Sequence, residues 1–363
     1  MQAFFVILGK IMLEIKVDFA DALIDIDRKI TLTGVPAQVE VVVSTKTERA
    51  GQVWRSEKVV QSDDKGEAEL GLELIYNQKA ENAAATELFP LSVHHSLQTV
   101  IEAQSGELKT SALKPTVLTQ RLTHETVQRV EIREESIKGV LFVPAGAAVP
   151  AVLLLKRQAA GDVDEAHAAL YAARGYAVLA LEYEQTPALE VTAESLAYFS
   201  QALDWLREKV RPKHHFVAVS GYEEGAELAL LLGVWLAEQV SAVMACEPTA
   251  PAPSGIHPLH IEEMQGPLLL ASGREHGSSA YQESIGKRLQ QSGFDYNFQW
   301  YDFEGVAGGL RFPHIPTTPF ATDTEQVQAL AEANKSLWFS IIGFLHQAVA
   351  EAAPGGALGQ PVQ

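Results

Sequence analysis

Hydrophobic and polar positions alternate with a period of two along the first third of the chain. From Ile15 to about Ile132 the alternation recurs in short runs, among them KITLTG, AQVEVVVST, VWRSEKVVQS and GEAELGLEL, with Gly, Pro, Asp and Asn between them. This pattern is typical of strands that bury one face. It predicts an all-β sandwich domain over residues 1–132. The segment 76–89 follows neither the strand nor the helix period and is predicted to be a long loop.

From residue 133 onward the pattern changes to continuous apolar runs that alternate with helical periodicity. The apolar runs are AVLLL (151–155), YAVLALEY (176–183), HFVAVS (215–220), SAVMAC (241–246), PLLLASG (267–273) and YNFQWYDF (296–303). The helical segments are VDEAHAALYAARG, AESLAYFSQALDWLREKV, EEGAELALLLGVWLAEQ, AYQESIGKRLQQSG and a last helix over 324–350. This order predicts an α/β domain over residues 133–350 with a mostly parallel sheet between two layers of helices. Residues 351–363 are predicted to be a flexible tail.

Composition and charge narrow the possible functions. With 363 residues, 47% of them hydrophobic, the chain has the size and composition of a globular protein of two domains. Its net charge of −18 disfavours binding to nucleic acid or to an anionic membrane surface. The single cysteine, Cys246, excludes an intramolecular disulfide and fits a reducing cytoplasm. The opening MQAFFVILGKIML is read as an edge strand or as extra sequence before Met12, and no apolar run has the length of a membrane helix.

The stretch FVAVSGYEEG (216–225) contains the pattern of a nucleophile elbow. In such an elbow an apolar strand runs into Gly-x-nucleophile-x-Gly and then into a helix. Here Glu223 occupies the nucleophile position, between Gly221 and Gly225. Parallel sheets place their functional sites at the carboxyl ends of the strands. We therefore expect Glu223 to lie at the centre of any functional site.

Residues 20–349 resemble the family of acyl-CoA thioesterases and bile acid-CoA:amino acid N-acyltransferases. The resemblance is carried by the order and spacing of several stretches, including ALIDIDRKITLTGVPAQVEVVVST, VQRVEIREESIKGVLFVPAG, AARGYAVLALEY, GYEEGAELALLLG, GPLLLASGREHGSSAYQESIGKRLQQSG and PHIPTTPF. It implies a β-sandwich domain followed by an α/β-hydrolase domain. It also implies a catalytic serine or cysteine, a histidine, an acid and a glycine-rich oxyanion loop.

The chain departs from this catalytic pattern at several positions. The resemblance places Glu223 at the nucleophile position and Val306 at the histidine position. The orienting acid falls on Glu275, next to His276. The oxyanion loop reads KRQAAG, beginning with Lys156 and Arg157, where the family has glycines. Thioester hydrolysis by a serine mechanism is therefore not expected.

Each of these residues has more than one interpretation. Glu223 is either an acid/base or nucleophilic group in a pocket, or an acidic residue that with Glu224 favours the start of a helix. Lys156 and Arg157 either bind an anionic substrate or neutralise Glu223 through an ion pair. Tyr222 either donates a hydrogen bond into the pocket or packs in the core.

Two histidines are candidate acid/base partners for Glu223. The first is His276, and the second is His314, eight residues beyond Val306.

The sequence leaves two hypotheses about function. In the first hypothesis the chain is a repurposed enzyme that acts on an acyl thioester, carried by coenzyme A or a carrier protein, through elimination, isomerisation or cyclisation. In the second it is an inactive relative that binds a ligand or a protein. We expect no cofactor and no metal, since no histidine, cysteine or carboxylate spacing matches a known metal site.

Overall fold

The computed structural model describes residues 13–82, 91–110, 115–156, 163–183, 193–248, 259–277, 279–321 and 323–354. The chain divides into two compact units. The first comprises Met1–Arg121 with His314–Ala331, and the second comprises Leu122–Pro313 with Glu332–Gln363. The strand Val127–Arg133 pairs with Lys138–Pro144 in the second unit, so the structure divides the chain earlier than the predicted boundary at residue 132.

The first unit is a sandwich of two β-sheets. Its elements are β1 Glu14–Val17, β2 Asp21–Leu23, β3 Ile30–Thr33, β4 Glu40–Arg49, β5 Gln52–Gln61, β6 Ala68–Leu70, α1 Glu73–Tyr76, β7 Lys79–Ala80, β8 Leu97–Ser105, β9 Leu108–Lys109 and β10 Thr116–Arg121. One sheet has the order β1-β3-β6 and the other β2-β10-β8-β4-β5-β7, with β9 on β8. Alternate residues from both sheets, such as Leu32, Val41 and Ile101, are buried in one core. The all-β sandwich predicted from the period-two pattern is confirmed.

One predicted strand is shorter than expected. The run GEAELGLEL forms β6 over Ala68–Leu70 only, and the chain then turns into the short helix α1. Leu74 and Ile75 are both buried there although they are consecutive. A strand would direct such neighbours to opposite faces, whereas a helical turn can bury both.

The second unit is an eight-stranded sheet with helices. Its elements are β11 Val127–Arg133, β12 Lys138–Pro144, β13 Ala151–Leu155, α2 Glu165–Ala173, β14 Ala177–Leu181, α3 Ala193–Val210, β15 Val217–Tyr222, α4 Glu224–Trp235, β16 Ala242–Cys246, β17 Leu268–Gly273, α5 Ser279–Ser292, β18 Phe298–Phe303 and α6 Thr324–Glu351, the start of which belongs to the first unit. The strand order is β11-β12-β14-β13-β15-β16-β17-β18. Pairing is antiparallel on both sides of β12 and parallel from β14 to β18. This is the α/β fold of the hydrolase type that the sequence predicts.

The central strands are buried along their whole length. Every residue of β13, β14, β15, β16 and β17 is buried, which explains why these segments read as continuous apolar runs rather than alternating ones. Because β13 to β18 are parallel neighbours, their carboxyl ends lie at one edge of the sheet. The elbow at Glu223 follows β15 at this edge.

Some predictions concern residues that the structure does not describe. These are the first twelve residues, half of the predicted loop at 76–89, Arg157 and most of the tail from 351 onward. In the described ranges, no helix combines the length and the apolar character that crossing a bilayer requires.

Candidate functional site

The backbone at Glu223 has the geometry of a nucleophile elbow. Glu223 has φ 55° and ψ −120°, a left-handed conformation that a residue with a side chain rarely adopts. The flanking glycines allow the tight passage from β15 to α4. A Cβ on Gly221 would overlap the carbonyl oxygen of Gly225, and a Cβ on Gly225 would overlap that of Leu155. The Gly-x-Glu-x-Gly pattern is therefore a packing requirement of this turn.

The carboxylate of Glu223 faces solvent and a cation. Its side chain is 51% exposed, and Arg311 Nη2 lies 3.6 Å from its Oε1. The backbone N–H of Arg311 donates to Asn334 Oδ1 at 2.7 Å, which fixes this part of the chain against α6. Because Glu223 is half exposed, a pair at this distance contributes little to stability, but it gives the elbow a positive neighbour.

A second glutamate, Glu247, follows the neighbouring strand. It comes directly after β16 and is 3% exposed, with φ 56°. Its carboxylate oxygens accept hydrogen bonds from the backbone N–H groups of Gly309 and Leu310, both at 3.3 Å. Burial raises the pKa of Glu247 above its usual value, and the negative charge of Glu223 raises it further, while the N–H of Leu310 and the nearby His276 oppose the shift.

His276 borders the same small space as Glu247. A Cβ at Gly308 would lie 3.1 Å from His276 Cδ2 and 3.7 Å from Glu247 Oε1. Glu275, beside it, is exposed and accepts a hydrogen bond from the N–H of Gly305 at 3.1 Å. Thus Glu223, Glu247, His276 and Arg311 form one group of ionisable side chains at the sheet edge, which we call the elbow cluster.

Val306 occupies the position where the family resemblance implies a histidine. It is 1% exposed, and its carbonyl oxygen accepts a hydrogen bond from the N–H of Glu275 at 3.1 Å. The residues at the positions implied for the acid and the base, Glu275 and Val306, are thus joined by a backbone hydrogen bond. The valine side chain has no group that can transfer a proton, so this arrangement cannot activate a nucleophile.

A separate buried network lies beside the elbow. Lys156 Nζ is 3.2 Å from Asp164 Oδ2, and His167 Nδ1 donates to the same oxygen at 2.7 Å. The ring of Tyr222 contacts both partners of Asp164, with its centroid 4.5 Å from that of His167 and 4.9 Å from Lys156 Nζ. The Tyr222 hydroxyl lies 3.3 Å from the Tyr171 hydroxyl, within the core. Lys156 and Tyr222 thus make these contacts within the core, and among the described residues the cation beside Glu223 is Arg311.

Burial controls the protonation of this network. It lowers the pKa of His167 to about 4, assisted by the positive charge of Lys156 and opposed by Asp164. Burial alone would raise the pKa of Asp164, but His167 and Lys156 together hold it well below its usual range. His167 is therefore neutral, with its proton on Nδ1, and its Nε2 is a buried acceptor for which the described residues supply no hydrogen-bond donor.

Acid is expected to destabilise the folded chain through His167. In the folded state His167 takes up its proton only near pH 4, whereas in the unfolded chain it does so near 6.5, so its contribution is complete above pH 6.5 and is lost as the pH falls toward 4. The lost stability is on the order of 3 kcal/mol, because the pKa of His167 falls from 6.5 to about 4 and each tenfold change in proton affinity corresponds to about 1.4 kcal/mol. Urea unfolding at a series of pH values measures it.

A variant without a titratable side chain at position 167 separates the contribution of His167 to the pH dependence of stability from that of other groups. In His167→Gln the dependence of the free energy of unfolding on pH between about 6.5 and 4 should become shallower. His260→Gln, at an exposed position, is the matched control and should keep the wild-type dependence. An unchanged slope in His167→Gln would contradict the assignment.

Three site residues predicted from the sequence remain to be located, namely Glu224, His314 and Arg157. Glu224 is exposed in the first turn of α4, beside Glu223. His314 belongs to the first unit, where its Nδ1 donates to the carbonyl oxygen of Ile24 at 2.8 Å and its Nε2 lies 3.1 Å from Asp27 Oδ1. These contacts engage both ring nitrogens of His314. Arg157 lies outside the described residues.

Sequence reasoning missed Glu247 and Arg311. The signal for Glu247 is its position directly after the apolar run SAVMAC, at the carboxyl end of a predicted parallel strand. Arg311 carries no comparable signal, because it lies in the irregular segment after β18 and reaches Glu223 only through the fold.

Comparisons with known proteins support the resemblance at modest identity. No family model matches the chain. The rat acyl-coenzyme A amino acid N-acyltransferase 2 is 34% identical over 128 residues, which are 34% of this chain and 30% of that protein. The rat acyl-coenzyme A thioesterase 1 is 26% identical over 238 residues, which are 59% of this chain and 56% of that protein. The matches thus span between about a third and just over half of these curated relatives.

Among solved structures the similarity covers about three fifths of this chain. An alpha/beta hydrolase enzyme from a Medee basin deep-sea metagenome library is 15% identical, with a TM-score of 0.49, and the match covers 62% of this chain and 99% of that one. A putative dienelactone hydrolase from Klebsiella pneumoniae is 16% identical, with a TM-score of 0.44, covering 61% of this chain and 98% of that one.

Proposed function

We propose that this chain is an enzyme that binds an acyl thioester, or a related carbonyl compound, and uses Glu223 as an acid/base group instead of hydrolysing the thioester. The relatives' names refer to acyl-coenzyme A as substrate. The observation that carries the proposal is the elbow at Glu223. A strained non-glycine residue costs about 1–3 kcal/mol, and a glycine would remove that strain, whereas the glutamate presents a half-exposed carboxylate beside Arg311.

A carboxylate at an elbow suits proton transfer next to a carbonyl group. The α-proton of a thioester is acidified by its carbonyl, and a carboxylate within hydrogen-bond reach is a suitable base for it. The negative charge that develops on the carbonyl oxygen needs nearby positive charge. Arg311 and the N-terminus of α4 supply it in the described residues. Acyl transfer to a serine is not available, because Glu223 and Val306 replace both residues it needs.

Deuterium uptake is the direct test of this proposal. Thioesters of coenzyme A and of pantetheine with different acyl chains are incubated with the protein in heavy water and examined by mass spectrometry. We expect incorporation of deuterium next to the carbonyl, or loss of water, without release of thiol. Glu223→Gln should slow this reaction at least about 100-fold, since removal of a general base typically costs that much.

A matched control distinguishes the effect of removing Glu223 from the effect of removing an exposed carboxylate elsewhere on the surface. Glu283→Gln, on the exposed face of α5, should keep the wild-type rate. Thiol release that survives in Glu223→Gln would overturn the proposal, as would a wild-type protein that changes no thioester at all. Comparison of the coenzyme A and pantetheine thioesters indicates which carrier is recognised.

A catalytically inactive binding module is the second candidate. It is favoured by the engagement of Lys156 with Asp164 and by the buried Val306, because both positions lack the groups that the hydrolytic mechanism requires. Binding of a thioester, seen by calorimetry, with no mass change in any substrate would favour this alternative.

A further inference from the structure

Two neighbouring strands end in a glutamate at the same register. In the pairing of β15 with β16, Tyr222 is opposite Cys246, so Glu223 and Glu247 occupy the next position on each strand. The N–H of Glu223 donates to the carbonyl oxygen of Cys246 at 2.8 Å, which ties the two strand ends together. Both residues have left-handed backbone conformations, with φ 55° and 56°. Neighbouring strands lie about 4.8 Å apart, so the two side chains start from adjacent points.

The two carboxyl groups have unequal surroundings. Glu223 is half exposed and has Arg311 as a positive neighbour. Glu247 is almost fully buried between Gly309, Leu310 and His276. Two carboxyl groups that share a site do not both ionise readily, and the buried one keeps its proton to higher pH. The raised pKa of Glu247, caused first by burial and then by Glu223, agrees with this division.

We propose that Glu247 is the proton donor of the elbow cluster, and that Glu223 and Glu247 together remove water from a 3-hydroxyacyl thioester. This inference rests on the proposed function, since it requires Glu223 to act as the base. It adds a second catalytic residue and a substrate class, a thioester with a hydroxyl group on the carbon β to its carbonyl.

The chemistry explains why two carboxyl groups are needed. Glu223 takes the α-proton, and the electrons of the broken C–H bond form the new carbon–carbon double bond. The bond from the β-carbon to oxygen breaks, and the departing oxygen takes the proton of Glu247 and leaves as water. Exchange of an α-proton needs only a base, whereas the departure of hydroxide needs an acid because hydroxide is a poor leaving group.

The cycle closes without another reactant. After elimination Glu223 carries a proton and Glu247 is ionised, so the number of protons on the pair is unchanged. Transfer of one proton from Glu223 to Glu247 restores the starting state. The same groups run the reverse reaction, the addition of water to the double bond.

Substrates with different leaving groups test the role of Glu247. In wild-type protein, 3-hydroxybutyryl-coenzyme A should exchange its α-hydrogen in heavy water and lose water, and 3-chlorobutyryl-coenzyme A should lose chloride. Glu247→Gln should slow the loss of water at least about 100-fold. It should retain both α-hydrogen exchange and chloride loss, since chloride departs without protonation. Glu223→Gln should slow all three reactions, and Glu283→Gln should slow none.

The outcomes separate this inference from the proposed function. If Glu247→Gln still removes water at the wild-type rate, or if wild type exchanges the α-hydrogen but never removes water, Glu247 is not the donor and the role of Glu223 stands. If wild type neither exchanges nor eliminates, both proposals fail. If Glu247→Gln loses α-hydrogen exchange together with dehydration, Glu247 supports the structure of the site and is not its acid.

Two measurements on wild type do not depend on the folding or the turnover of Glu247→Gln. In wild type, dehydration should fall as the pH rises and Glu247 loses its proton, while loss of chloride should not fall; parallel profiles would overturn the inference. Infrared difference spectroscopy of wild type without substrate should show a protonated carboxyl group at the pH at which dehydration is fastest. Absence of this band in wild type would equally overturn it.

Discussion

Replacement of Gly225 by alanine is expected to lower the free energy of unfolding by more than about 4 kcal/mol or to prevent folding. The added Cβ would overlap the carbonyl oxygen of Leu155, and its carbonyl carbon would be only 2.7 Å away. Both are backbone atoms at the end of the buried strand β13, so no side-chain rotation can relieve the overlap. Chemical denaturation followed by circular dichroism measures the loss.

A glycine in open surroundings provides the control. Gly343, in α6, has nothing within 4 Å of the position that a Cβ would take. Gly343→Ala should leave stability unchanged or raise it by up to about 1 kcal/mol, because alanine favours a helix interior. Equal stability of Gly225→Ala and wild type would show that the elbow is not packed against β13 in solution.

Asp164→Asn is expected to cost about 3–5 kcal/mol of stability, because it leaves the buried Lys156 without its carboxylate. Asp164 also accepts the N–H of His167 at 3.0 Å, which caps α2. Asparagine retains that capping ability, so the variant removes the charge rather than the cap. The free energy of unfolding from denaturant titration is the quantity to measure.

A double variant tests whether the cost arises from the ion pair. Lys156→Met combined with Asp164→Asn removes both charges and should recover most of the stability. Asp21→Asn breaks an exposed pair with Arg121 and should cost less than about 1 kcal/mol. A loss in Asp164→Asn no larger than in Asp21→Asn would contradict a buried ion pair.

Much of the fold follows from the sequence because burial dictates it. A strand covered on both faces must be apolar throughout, so runs such as AVLLL over 151–155 coincide with β13. The elbow is also readable, because only glycine fits at positions 221 and 225. In both cases the constrained residues lie within one short segment of the sequence, so their pattern is visible there.

The elbow cluster was less predictable because its members come from distant segments. Lys156 begins the altered oxyanion loop and is a candidate ion-pair partner of Glu223 in the sequence, but in the structure it pairs with Asp164, eight residues away. Arg311 takes the place beside Glu223. A charged residue in the sequence indicates that it needs a partner. Which residue becomes that partner depends on how helices and strands from separate parts of the chain pack together.

The departures from the thioesterase pattern lie at the positions that the resemblance assigns to catalytic groups. The sheet, the flanking glycines and the contact between Glu275 and Val306 retain the scaffold. Glu223 and Val306 stand at the positions where the resemblance implies the nucleophile and the histidine. A fold can host several reactions when its site residues change in this way.

The shared register of β15 and β16 also bears on how such a site can diversify. The separation of the backbones that carry Glu223 and Glu247 is set by inter-strand hydrogen bonds, as between Glu223 and Cys246. In the proposed reaction the base and the acid would therefore stay at a constant separation while residues elsewhere around the site diverge.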